Sequence, residues 1–164
     1  MKRSIFYSLT VVFVFLLQAG GNYFAGMSGF SANVVLVVVL YFGLSRGPMA
    51  GLLLGFLWGL MVDASSLGLL GLHALLYSAA GYFSGMLRRQ LDEDKGWTQV
   101  IFSLMVSALY LAAYFVVEHL FSPSPRPLRW PMAAQPLING AMAPPVFWFM
   151  RRWSYLWNAH PQEE

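Results

Sequence analysis

The sequence predicts an all-α integral membrane protein, a compact bundle of six transmembrane helices, and three observations carry that prediction. Of the 164 residues, 58% are hydrophobic and only 10% are charged, where a soluble domain carries roughly 25% charged residues. The charges fall in short runs, separated by apolar stretches near the ~20 residues that a helix needs to cross a bilayer. Gly47, Gly51, Gly55 and Gly59 recur at every fourth position, and the next step of that ladder is Asp63, the only acid between Met1 and Leu91. A helix face without side chains suits close contact with another helix.

The spans follow from where charge and turn residues interrupt the apolar runs. From Ser4 to Ser45 no residue is charged, and Gly20, Gly21, Asn22, Gly26, Ser28 and Gly29 place a turn inside that stretch. A first span is therefore expected at 5–24 and a second at 31–44. Arg46-Gly47-Pro48 breaks the chain and supplies a proline suited to a first helical position, so a third span runs over 48–62. Asp63-Ala64-Ser65-Ser66 ends it. The fourth covers 70–87, the charged run Arg88 to Lys95 is an aqueous loop, and the fifth covers 97–121. Pro123, Pro125, Pro127, Pro131 and Pro136 make 122–136 an extended outer loop without regular helix. A sixth span at 137–149 is short and interrupted by Pro144-Pro145, which keeps a five-span bundle open.

Alternating spans put Lys2, Arg3, Arg46, Arg88, Arg89, Lys95, Arg151 and Arg152 on one side and only Arg126 and Arg129 on the other. Basic loops stay cytoplasmic, so both termini are expected in the cytoplasm, and six spans are favoured over five. Lys2-Arg3 followed by an apolar run also has the shape of a cleaved signal peptide. The apolar stretch continues to Phe24, so a retained first helix is the preferred reading.

Several function classes drop out. The chain has no cysteine, which removes disulfides and thiolate metal sites. The net charge of +3 reflects loop charging and does not indicate nucleic-acid binding. No HExxH, GxSxG or phosphate-loop pattern occurs. No catalytic site, metal or cofactor is expected.

The remaining candidates concern packing and partners. Gly51, Gly55 and Gly59, with Gly81 and Gly85 on the next span, form a surface either for packing inside one subunit or for docking a partner's helix. Asp63 opposes the helix dipole, so it either caps the following turn through the Ser65 and Ser66 amides or meets a partner. His73 stands alone in an apolar helix and reads as a packing residue. Glu118 and His119, with Arg126 and Arg129, form either an outer-face polar cluster or a solvated helix end. Gln18, Asn22, Asn33 and Asn139 suit interhelical hydrogen bonds.

From Val34 to Arg89 the chain resembles the rod-shape-determining MreD family. The likeness rests on the glycine-rich third span ending in Asp63, on the LGLHAL sequence of Leu70 to Leu75, and on Gly81-Tyr82 near the end of the next span. Asn33 stands where that family's pattern has a proline opening the second span. The resemblance implies a non-enzymatic scaffold in the bacterial inner membrane, part of the rod complex or elongasome that directs lateral peptidoglycan synthesis. It implies direct binding to MreC, with MreB, RodZ, RodA and its partner transpeptidase in the same complex. It also implies a fold similar to the substrate-binding subunits of energy-coupling-factor transporters. The second functional reading is a small-molecule-binding subunit of such a transporter. An intramembrane hydrolase lacks a paired nucleophile and base.

Overall fold

The computed structural model describes Thr10, Val12, Val14, Gln18 and Gly20, then residues 32–65, 69–91, 95–122 and 130–158, with side chains through 155. Every regular element among the described residues is helical: α1 (Val34–Arg46), α2 (Pro48–Ser65), α3 (Leu72–Met86) with a 3-10 turn at Leu87–Arg89, α4 (Gly96–Phe121), the short α5 (Trp130–Ala133) and α6 (Gln135–Asn158). The five N-terminal described positions are helical too.

The centre of the bundle is α1, buried at every residue from Val34 to Leu44. A helix that is apolar all round has to be enclosed. Its neighbours are α2, α3 and α6, with a thinner contact to α4. Asn33 starts it by accepting the Leu36 amide at 3.0 Å, which satisfies one of the amides a helix leaves unpaired at its N-terminus. Gly47 ends it with φ +97°, a conformation that L side chains rarely adopt. The Gly47 amide bonds back to the Gly43 carbonyl at 2.9 Å, and Pro48, which has no amide to lose, opens α2.

The helices run up and down, so their ends sort into two groups. Arg46, Arg88, Arg89, Lys95, Arg151 and Arg152 lie toward one end and are all exposed. Asp63 and Glu118, the two acids among the described residues, lie toward the other end and are both buried. The outer surface is apolar: Leu53, Phe56, Leu57 and Leu60 on α2 and Ile101, Met105, Leu109 and Leu120 on α4 are exposed. Both helices are long and apolar enough to cross a membrane. Around an apolar core the two acids are turned inward, while the sides of α2 and α4 present apolar groups outward, as a hydrocarbon solvent favours.

Four expectations are corrected. The third span does not stop at Val62, because α2 continues through Asp63 to Ser65. Gly47 is not part of the helical glycine ladder but the junction between α1 and α2. The helix of the sixth span is longer than expected and not interrupted: α6 runs unbroken from Gln135 through Pro144, Pro145, Arg151 and Arg152 to Asn158. Charges mark where a span meets water, and a helix can continue past that point. The expected non-helical outer loop holds α5 at Trp130–Ala133 and gives Gln135 and Pro136 to α6. Pro131 and Pro136 sit in first turns, where a helix does not use the amide they lack. The first span's bounds, Asn22 and residues 123–129 lie outside the described residues.

Candidate functional site

The closest helix contact is α2 against α3, and glycine makes it possible. A β-carbon on Gly51 would land on the backbone of Gly81 and 2.9 Å from the Gly43 Cα. One on Gly55 would land on the Tyr77 carbonyl, and one on Gly59 on the backbone of Ala74. From the other side, Gly81 meets the Gly51 carbonyl, and Gly85 meets Pro48. Gly43, Gly51 and Gly81 thus bring α1, α2 and α3 together at one point. Gly43 and the buried Ser84, whose hydroxyl donates to the Gly81 carbonyl at 2.9 Å, were not singled out from sequence. Gly43 extends the four-residue spacing one step back from Gly47, and that was its available signal.

Asp63 closes the same seam at its upper end. Its side chain is buried, and its two oxygens accept the amides of Gly71 at 3.1 Å, His73 at 3.1 Å and Ala74 at 3.0 Å. These are the amides that open α3 and have no partner within their own helix. The carboxylate therefore caps α3 from a neighbouring helix and favours the positive end of its dipole. Asp63 lies inside α2 and faces α3, so it also serves this longer-range set beyond the expected turn; Ser66 lies outside the described residues. His73 is not alone either: its Nδ1 lies 2.8 Å from an Asp63 oxygen, so Nδ1 carries the proton.

Beside this pair a polar network joins four helices. The Tyr77 hydroxyl donates to Asn33 Oδ1 at 2.9 Å, and the Asn33 amide donates to Asn139 Oδ1 at 2.8 Å. Asn139 Nδ2 then donates to the Ser107 hydroxyl at 3.0 Å. His73, Tyr77, Tyr110 and Tyr114 pack their rings over it, with Tyr77 stacked on Tyr110 at 5.4 Å and His73 tilted against Tyr114 at 5.4 Å. Gln18 ties the N-terminal segment in by donating to the Ala32 carbonyl at 3.0 Å.

The inner face of α4 was missed as a unit. Gln99, Ser103, Ser107, Tyr110, Tyr114 and Glu118 are all buried and follow one another at intervals of three or four residues. They make a polar stripe along the full helix. The spacing was legible, but serine and tyrosine do not interrupt an apolar run and drew no notice. Glu118 and His119 part company: Glu118 is buried and His119 is exposed, its Nδ1 2.9 Å from the Phe115 carbonyl. Consecutive helical residues point about 100° apart, which forbids a shared surface. Arg126 and Arg129 lie outside the described residues.

Chemically, Asp63 and the Asn33–Asn139 pair are satisfied acceptors set among close backbone contacts. What it does is hold helix ends in fixed register. In the comparisons with known proteins, no curated protein and no solved structure matches the chain. A family model described as rod shape-determining protein MreD matches residues 2–153. That match takes in the glycine seam, Asp63, the polar network and the α4 stripe together, and the chain belongs to the MreD family.

Proposed function

We propose that this protein is a non-enzymatic, multi-pass scaffold of the bacterial inner membrane with both termini in the cytoplasm, binding MreC within the rod complex and supporting lateral peptidoglycan synthesis. Family membership supplies the role in rod shape determination. The observation that carries the scaffold reading is the division of surfaces on α2. Its glycine face is filled by α3, while Leu53, Phe56, Leu57 and Leu60 on its other side are exposed. Those positions recur every three or four residues, the spacing a partner helix reads. The glycines and Asp63 act on this reading by fixing α2, so that its outer face meets the single span of MreC without first having to order. MreB, RodZ, RodA and its partner transpeptidase then join through the complex, and a fold like that of energy-coupling-factor substrate-binding subunits fits the helical bundle.

Photocrosslinking tests the proposal. A photoreactive residue placed in turn at Leu53, Phe56, Leu57 and Leu60 in native membranes is expected to give an adduct containing MreC. The same residue at Leu109, on the outer face of α4, is expected to give none. Adducts only at Leu109, or none at any α2 position at normal protein level, overturn it.

A further inference from the structure

A notch between three helices is left open. It lies where the N-terminal segment, α1 and α6 meet, holds about 160 Å³ and opens on one side to the surface. Val14, Val34 and Val38 form its inner wall, and Pro145, Val146 and Phe149 of α6 form its rim. Five of these six side chains are valine or proline, too short to fill the space between the helices. The walls are pinned on either side of the notch and do not move in. Toward the Asp63 end, Gln18 donates to the Ala32 carbonyl at 3.0 Å and accepts the Val35 amide at 3.4 Å, and the Asn33 amide donates to Asn139 at 2.8 Å. Toward the basic end, the Trp153 indole donates to Thr10 at 3.1 Å, and Phe147 meets Tyr41 edge-on at 5.4 Å. The space is built into the packing, where close-packed interiors leave few voids of this size.

An apolar cavity of about 150 Å³ stays dry and takes up a molecule of about six carbons, such as benzene. In a bilayer the apolar material at hand is the lipid chain. The opening also has a charge beside it. Pro145 is the exposed residue of the rim, and Arg152, seven residues on, returns to within ~20° of the same edge of α6, ~10 Å nearer the basic end. Arg152 is exposed, and Trp153 next to it stacks on Phe149 of the rim with ring centroids 6.2 Å apart. Asp63 and Glu118, the two acids among the described residues, lie toward the opposite end. One edge of α6 therefore offers an apolar slot and, two turns on, a cation.

We infer that the notch binds one acyl chain of an anionic phospholipid, with the phosphate held at Arg152. Short side chains supply the room, Arg152 supplies the charge, and Trp153 sets the depth, as aromatic residues do at a membrane interface. A partner's apolar side chain would fill the notch but bring no anion to Arg152. The inference rests on the membrane placement proposed above and is independent of MreC.

Two phospholipid probes with the same diazirine-bearing acyl chain test this, one with a phosphatidylglycerol headgroup and one with phosphatidylcholine. The purified protein in nanodiscs is photolysed with each probe, and the adducts are mapped by mass spectrometry. At 142–150 the phosphatidylglycerol probe is expected to label about fivefold more than the phosphatidylcholine probe, the gain from one basic residue near a membrane surface. Around Leu109, on the outer face of α4, the two probes are expected to label equally. Arg152→Gln, at an exposed position, is expected to bring the ratio at 142–150 down to about one. Val146→Trp is expected to fill the notch and lower labelling there by both probes to the Leu109 level, with Arg152→Gln serving if it does not fold. Equal labelling by the two probes at 142–150 of the unaltered protein, or a preference unchanged by Arg152→Gln, overturns the inference. So does a photoreactive residue at Val146 that yields a protein adduct and no lipid adduct in native membranes. Failure to enter nanodiscs would instead overturn the membrane placement, and this inference with it.

Discussion

The α2/α3 seam and the α4/α6 seam solve the same problem by opposite means. In a bilayer the hydrophobic effect does not press helices together, so contact depends on close packing and hydrogen bonds. Between α2 and α3 the chain removes side chains until Gly51, Gly55 and Gly81 let the backbones touch. Between α4 and α6 it keeps side chains, and a polar pair, Asn139 and Ser107, bridges the gap at 3.0 Å. Backbone contact is intolerant of any added atom. A hydrogen-bonded seam can lose a partner and still close, and this makes the first seam the brittle one.

The largest effect that would test this contrast comes from Gly51→Leu or Gly55→Leu. Each drives a side chain into the α3 backbone, and a loss of 3 kcal/mol or more, on the order of the worst overpacking, is expected. Size-exclusion profiles of the detergent-solubilised protein would show loss of the monodisperse peak. Gly96→Leu, where a β-carbon meets nothing within 4 Å, is expected to keep it. Next comes Asp63→Ala, which strands the amides of Gly71, His73 and Ala74 together with the His73 ring. We expect about 3 kcal/mol in a denaturant titration, with Asp63→Asn recovering part of it because one carbonyl oxygen still accepts.

On the second seam, Asn139→Ala is expected to cost ~1 kcal/mol, the usual range for a hydrogen bond between membrane helices. A cost equal to that of Gly55→Leu would end the distinction between brittle and tolerant seams. The smallest effect belongs to Ser103→Ala. Its hydroxyl has no partner to lose, so a change within about 1 kcal/mol, of either sign, is expected by thermal unfolding. A larger loss would show that the α4 stripe is held by more than its bonds to α6.

The two seams also differ in how plainly they are written in the sequence. Glycine spacing is a local signal, and the ladder from Gly51 to Gly59 marks a close-packed face without reference to anything distant. What it meets is not local: only the fold pairs Gly51 with Gly81 and Gly59 with Ala74. Asp63 was conspicuous as a lone acid, yet its partners sit eight to eleven residues on, across a turn whose path no pattern specifies. The α4 stripe had the reverse fate. Its periodicity is visible, but each member is too mild to break a hydrophobic run. The end of α6 is not legible because Arg151 and Arg152 mark where apolar sequence ends, and the helix continues past them to Asn158.

Helix α1 carries a consequence for how the chain is made. Its 13 residues reach only about 20 Å at 1.5 Å per residue, short of the ~30 Å hydrocarbon core. Among the described residues its buried faces are covered by α2, α3 and α6, synthesised after it, while Val14 and Gln18 of the segment made before it also meet it. A helix this short is expected to be a poor independent stop for the insertion machinery and to enter the bilayer together with α2, folded back at Gly47-Pro48. A chain truncated after Arg46 is expected to leave α1 accessible to water-soluble labels in glycosylation mapping, and one extended through Ser65 to protect it. Equal protection of both would mean that α1 enters alone. The tight turn between these helices then has a part in assembly order as well as in architecture: it lets a span too short for the membrane arrive with the helix that completes its passage.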